Sequence, residues 1–206
     1  MKPIGLLGGT FDPVHNGHLR LAIEVFERLD LDQVRLLPAP SPRLRDAPGR
    51  DFQTRLQLLR TAIEGIEALQ ADDRESRHSR PTRSIETLQS LREEFPGRSL
   101  CLILGADIAT RLDQWHQWQS LPDYAHLVFA HRPGSELPLS GPLYDWIGER
   151  LVDSPADLHA RAGGLVYICD IPVLDIQARD IRARLAAGRS IDFLVPEKVK
   201  RMLLNE

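Results

Sequence analysis

The chain has 206 residues, enough for one large domain with a substantial core. Twenty-six Lys and Arg nearly balance 29 Asp and Glu, and the formal net charge of −3 argues against a nucleic-acid or membrane-surface partner. No apolar run approaches a membrane span, and the N-terminus opens on strand-like sequence rather than a signal peptide, so a cytoplasmic location is expected.

In chain order, Ile4-Gly5-Leu6-Leu7 has the length and character of a strand. Leu19, Ala22, Ile23, Phe26 and Leu29 then recur at helical spacing. Between them lies Gly8-Gly9-Thr10-Phe11-Asp12-Pro13-Val14-His15-Asn16-Gly17-His18, a strand-to-helix loop that opens a βαβ unit. Gly8 and Gly9 remove side chains where backbone passes close to a ligand. Asn16 reads as the N-cap, and a helix N-terminus with its N–H groups suits a phosphate. His15 and His18 stand at that end, where imidazole can donate a hydrogen bond or positive charge to a phosphoryl group. They could also be half a metal site, although no third ligand follows close in sequence. The spacing fits neither a dinucleotide fingerprint nor a Walker A loop.

The whole string is similar to the Gly-Gly-Thr-Phe-Asp-Pro-x-His-x-Gly-His signature of the nucleotidylyltransferase superfamily. Within it, the chain looks most like the bacterial nicotinate-nucleotide adenylyltransferases. The resemblance implies catalytic roles for His18, His15 and Thr10, and nucleotide contacts from Gly8, Gly9 and Phe11.

Residues 34–37 read as a second strand, followed by a loop over 38–50 with four prolines (38, 40, 42, 48) and three arginines (43, 45, 50). The resembling family has Pro-Pro-His-Lys/Arg here. In Pro42-Arg43-Leu44-Arg45 the basic Arg45 remains, implied to lie near the mononucleotide, and Leu44 replaces the histidine. From Asp51, Phe52, Arg55, Leu56, Leu59, Ala62, Ile63 and Ile66 mark an amphipathic helix expected to stop near Gln70. Residues 72–83 read mostly as a solvated charged face. Thr82 and Ser84 match hydroxyls of the family's Pro-Ser-Tyr-Thr segment, implied to contact the mononucleotide, with Arg83 in place of tyrosine. Ser84 reads equally well as a helix N-cap.

The apolar run 99–104 is a central parallel strand ending in Gly105-Ala106-Asp107. Asp107 reads as a carboxylate facing the ligand crevice or as an N-cap. The family's Gly-x-Asp implies nucleotide contacts for Gly105 and Asp107. It also sets a tryptophan at the position of Trp115 against the pyridine ring, whereas Trp118 reads as packing. Residues 125–130 form the next strand, and the resemblance implies a mononucleotide contact from Arg132 just beyond it. An irregular insertion spans 134–164, with a short helix around 144–151 and a Ser154-Pro155 helix start. Residues 165–169 read as the last strand. Cys101 and Cys169 fall in such runs and read as buried free thiols in a reducing compartment.

Ile176-Gln177-Ala178-Arg179-Asp180-Ile181-Arg182 opens a helix running to Ala187, with Gly188 at C′. A helix start carrying Arg182 would suit a triphosphate. The family pattern is Ile-Ser-Ser/Ala-Thr-x-Ile-Arg, which implies nucleotide contacts from Ile176, Arg179 and Arg182. Ala178, Ile181 and Arg182 fit it, but Gln177 and Arg179 replace hydroxyls. The segment 193–199 is similar to the family's C-terminal Leu-Pro segment.

The resemblance runs along nearly the whole chain. It implies one domain over 1–206, a Rossmann-like α/β three-layer sandwich with a parallel sheet. The implied activity is adenylyl transfer from ATP to nicotinate mononucleotide, with Mg²⁺ bridging phosphate oxygens and Asp107 as a candidate metal contact. The sequence leaves room for a homo-oligomer. Two other readings remain: a superfamily transferase with nicotinamide mononucleotide or a pantetheine phosphate as acceptor, and a nucleotide-binding regulator with little turnover.

Overall fold

Alternation within the apolar runs decides the architecture. In residues 100–104, Leu100, Leu102 and Leu104 pack into one buried cluster while Cys101 and Ile103 pack into another. Ile4 and Leu6 divide from Leu7 in the same way, as do Leu127 and Phe129 from Val128 and Ala130. Successive strand residues point to opposite faces, so strands apolar at every position must be covered on both. The result is a sheet between two helical layers.

The computed structural model describes residues 1–41, 48–78, 80, 82–131, 141–172 and 174–205, without the side chains of Ala106 and Asp107. Its strands are β1 (Ile4–Gly9), β2 (Gln33–Pro38), β3 (Leu69–Ala71), β4 (Leu100–Gly105), β5 (His126–His131), β6 (Leu151–Val152) and β7 (Val166–Asp170). They lie in the order β3-β2-β1-β4-β5-β7-β6, and every pairing is parallel. The helices are α1 (Asn16–Arg28), α2 (Phe52–Ala62), α3 (Ser84–Glu94), α4 (Ala106–Ala109), α5 (Pro142–Gly148), α6 (Ala178–Ala186) and α7 (Glu197–Leu204). Helices α1, α2, α6 and α7 cover one face, with Val25, Leu59, Ile181 and Val199 in its core. Helix α3 and the turns after β4 cover the other, with Leu88, Leu91, Leu112 and Leu121. This is the expected Rossmann-like three-layer sandwich.

Several boundaries differ from the sequence reading. Helix α2 ends at Ala62 rather than near Gln70, because Gly65 adopts φ +81° and turns the chain into edge strand β3. The short helix of the insertion spans Pro142–Gly148 and is followed by the two-residue strand β6, too brief to leave a periodic signal. Ser154 caps the turn Pro155–His159, its hydroxyl accepting from Ala156 N–H. Helix α6 ends as expected, with Gly188 at φ +61° just past its Ala187 cap. Cys101 and Cys169 are buried free thiols, pushed by desolvation up to about 12 and about 11. Among the described residues no helix is long and apolar enough to cross a membrane.

Candidate active site

The strand order reverses at β1, which lies between β2 and the later β4. In open parallel sheets such a reversal leaves a crevice beyond the carboxyl ends of the two strands. Leu7 of β1 pairs with Ile103 of β4, so Gly9 and Gly105 close their strands level with one another at this crevice. The loop Thr10–His15 then turns into α1.

The start of α1 is built differently from the sequence reading. The N-cap is His15, not Asn16. His15 Nδ1 accepts from His18 N–H at 3.4 Å, and His18 Nδ1 accepts from His15 N–H at 3.3 Å. This reciprocal arrangement is a capping box with imidazoles in both positions. Both Nδ1 atoms accept, so the proton of each neutral ring sits on Nε2. The rings stack with centroids 3.6 Å apart, and the Phe11 ring meets His18 edge-on at 4.9 Å. His15 is 5 % exposed, and desolvation lowers it from 6.5 to about 4, so it stays neutral at physiological pH.

Asn16 instead ties the C-terminal segment to the helix. Its N–H donates to Leu194 O at 2.9 Å and its Nδ2 to Phe193 O at 2.7 Å. Two of the first three amides of α1, those of Asn16 and His18, therefore already donate within the protein.

The glycines have distinct reasons. A Cβ on Gly17 would come 3.0 Å from His15 Nδ1, and one on Gly9 would come 2.8 Å from the Phe11 ring. A Cβ on Gly8 would meet nothing within 4 Å. Gly9 and Gly17 thus pack closely against the motif's own rings, while Gly8 borders open space.

Asp12 and Arg55 are the functional-looking residues that sequence reasoning passed over. Asp12 is 1 % exposed, and its carboxylate accepts from Gly49 N–H at 2.7 Å and pairs with Arg50 at 3.4 Å. Arg182 Nη1 donates to the Asp12 carbonyl at 2.6 Å, which brings the α6 arginine against the β1–α1 loop. Arg55, wholly buried, donates to the carbonyls of Thr10, Ala39, Pro40 and Arg50. The signal was an arginine inside an apolar helical stripe, since a buried guanidinium needs several acceptors at once.

The remaining candidates are spread around the crevice. Ile176 packs against the α1-side core, while Gln177 and Arg179 are exposed at the start of α6. Arg179 Nε lies 3.6 Å from Asp180. Thr82, Ser84 and Trp115 belong to the opposite layer. The N-cap of α3 is Arg83, so Ser84 is the first helical residue rather than the cap. Glu86, three residues into the turn, accepts the cap N–H at 2.9 Å. Thr82 lies beside the Glu75 carboxyl, which burial pushes upward and which accepts from Thr87 Oγ1 at 2.7 Å. Trp115 is half-buried against the α3-side core, its indole N–H enclosed without a partner among the described residues. Trp118 packs edge-on against Trp146 at 4.7 Å, as a packing residue should. Leu44, Arg45, Arg132 and the side chain of Asp107 lie outside the described residues.

A doubly covered parallel sheet with a His-x-Gly-His helix start at its switch point defines a nucleotidyl-transfer fold, and the cytidylyltransferase-like family matches residues 6–184. The chain belongs to that family and, within it, to the nicotinate-nucleotide adenylyltransferases. A relative from Marinobacter nauticus, named a probable nicotinate-nucleotide adenylyltransferase, is 43% identical over 195 residues, covering 94% of this chain and 90% of the relative. A relative of the same name from Halorhodospira halophila is 40% identical over 205 residues, covering 100% of this chain and 94% of its own. The solved nicotinic acid mononucleotide adenylyltransferase of Plasmodium falciparum, complexed with NaAD, shares the fold. Its TM-score is 0.70 at 17% identity, covering 100% of this chain and 94% of that one.

Proposed function

We propose that this chain transfers the adenylyl group of ATP to nicotinate mononucleotide, releasing pyrophosphate and forming nicotinate adenine dinucleotide. Family membership supports the reaction, and one observation carries its location here. The reciprocal cap between His15 and His18 holds both Nδ1 atoms as acceptors, so His18 has its N–H on Nε2 at the sheet's switch point.

The acceptor phosphate is already a nucleophile, so no side chain need be activated. One of its oxygens bonds to the α-phosphorus as the bond from that phosphorus to the bridging oxygen breaks. Pyrophosphate leaves with the electron pair. Such a step needs alignment and stabilisation of charge. His18 donates to the α-phosphoryl oxygens, with His15 and Thr10 beside it. Gly8, Gly9, Phe11, Gly105 and Asp107 border the adenylyl group, and Ile176, with Arg179 and Arg182 of α6, serves the triphosphate. Thr82, Ser84 and Trp115 receive the mononucleotide from the other layer, and the sequence assigns Arg45 and Arg132 to the same substrate. The crevice would then take its two substrates from opposite helical layers.

Bound Mg²⁺ supplies charge neutralisation on the phosphates. The buried Asp12 carboxylate is engaged by Gly49 and Arg50, so the ion would rest mainly on phosphate oxygens, as Mg²⁺ with its retained waters commonly does. A cytoplasmic enzyme acting as one domain suits these substrates.

The experiment is pyrophosphate release with ATP and Mg²⁺, offering nicotinate mononucleotide, nicotinamide mononucleotide and phosphopantetheine separately. Release with the nicotinate form alone is expected. Release with another acceptor only would replace the proposed substrate, and ATP binding with no release from any would favour a regulator.

A further inference from the structure

We infer that Arg55 is a positioning residue for adenylyl transfer, a buried clamp that sets the backbone around the proposed site. The inference rests on the site reading above and deepens it. Arg55 sits in α2, and its guanidinium is wholly shielded from solvent. Nη1 donates to Thr10 O at 2.5 Å and Ala39 O at 2.9 Å, Nη2 to Pro40 O at 3.0 Å and Nε to Arg50 O at 3.2 Å. Among the described contacts its acceptors are all main-chain carbonyls. An ion pair would hold one side chain, but this fork holds three separate stretches of backbone.

Those stretches have distinct places in the fold. Thr10 belongs to the loop after β1, Ala39 and Pro40 to the segment leaving β2, and Arg50 to the residues leading into α2. A planar trans peptide points its C=O and N–H in opposite directions. Drawing the Thr10 carbonyl toward Arg55 therefore turns the Phe11 N–H away from α2, on the loop that leads to His15 and His18. Ala39 N–H also donates to Gly9 O at 2.9 Å, so the β1 and β2 exits are tied twice. Asp12 adds a parallel tie through Gly49 and Arg50. The clamp fixes the adenylyl-side loop relative to the β2 exit, which is the alignment an in-line displacement requires.

The chemistry predicts which replacement fails. A lysine keeps the charge, but its ammonium cannot span four carbonyls arranged around a planar fork. Arg55→Lys should fold and bind each substrate, yet leave the backbone looser.

The test compares wild type with Arg55→Lys at low temperature, with rates normalised to folded protein by circular dichroism. The readouts are kcat and the separate Kd values for a non-hydrolysable ATP analogue and for nicotinate mononucleotide. A fall in kcat of about 10²-fold with both Kd values within about 3-fold is expected, the scale of a small misalignment. Unchanged kcat per folded molecule, with only a lower Tm, would overturn the inference. So would a kcat loss matched by an equal loss of affinity for one substrate. If Arg55→Lys does not fold, Arg55→Gln replaces it, because its amide N–H₂ still reaches two carbonyls. Failure of both to fold would assign Arg55 to stability and also overturn the inference. His18→Gln measured beside them separates the two levels. Full activity there removes the site assignment, whereas its loss next to a fully active Arg55→Lys removes only the role of Arg55.

Discussion

His15 and His18 cap each other: each imidazole Nδ1 accepts the other residue's backbone N–H, with the rings stacked 3.6 Å apart. The box usually pairs Ser or Thr with Glu or Gln, which serve the helix and nothing else. Imidazole serves the helix through Nδ1 and carries its proton on Nε2. One pair of side chains thus starts the helix and orients the proposed phosphate donor.

That dual use chooses the informative variant. His18→Gln places a standard capping-box acceptor at the same position, so His15 N–H keeps a partner. The protein should unfold at nearly the wild-type temperature. Its kcat should fall by about 10²–10³-fold, the loss typical of one preorganised donor to a developing oxyanion. Thermal unfolding and steady-state rates measured together check this. A stable His18→Gln protein with wild-type turnover would remove His18 from the mechanism.

The glycines make a second contrast. Ala at position 17 would press on His15 Nδ1, whereas Ala at position 8 would meet nothing in the protein within 4 Å. Gly17→Ala should lower both stability and activity, because the cap must shift. Gly8→Ala should leave Tm nearly unchanged while weakening ATP binding at least about tenfold, because its methyl group enters space the ligand needs. Calorimetric Kd values for ATP beside Tm values decide the matter. Unaltered ATP affinity in Gly8→Ala would place the nucleotide elsewhere.

Much of this was legible because it depends on local pattern. The apolar runs at residues 4–7 and 99–104 specified doubly buried parallel strands, and the helical stripe after His18 specified α1. Gly188 marked the end of α6 because a positive φ is a local demand. What failed depended on distant partners. Asn16 looked like a cap, but the structure uses its amide to hold Phe193, 177 residues away. Arg55 looked like one polar residue in a stripe, and its partners at Thr10 and Ala39 lie 45 and 16 residues away in sequence. The segment 69–71 became a strand only because an edge beside β2 was available to it. Spacing shows a residue's type and face, but not the backbone that another element will bring to it.

Two buried histidines predict how stability depends on pH. His126 Nδ1 accepts from Leu165 N–H at 3.1 Å, so Nε2 carries the proton and donates to Arg161 O at 3.0 Å. Desolvation lowers His126 below its ordinary 6.5, and lowers His15 to about 4. The folded state therefore binds fewer protons than the unfolded chain once the pH drops below about 6.5. Stability should be level above pH 7 and fall as pH falls from about 6.5 toward 4, by at most about 1.4 kcal/mol per pH unit for each histidine. Glu75 works in the opposite sense: burial raises it, so its protonation offsets part of the loss at the acid end. Glu86, held near 2 by Arg80, adds its own loss only below its unfolded value of 4.5. The loss that begins near pH 6.5 comes from the histidines, and Glu75 opposes it. Urea midpoints at stepped pH values should show a slope there, and His15→Asn, which keeps a cap acceptor without a titrating ring, should flatten it. A slope that His15→Asn leaves unchanged would mean that the fold does not hold the His15 ring neutral.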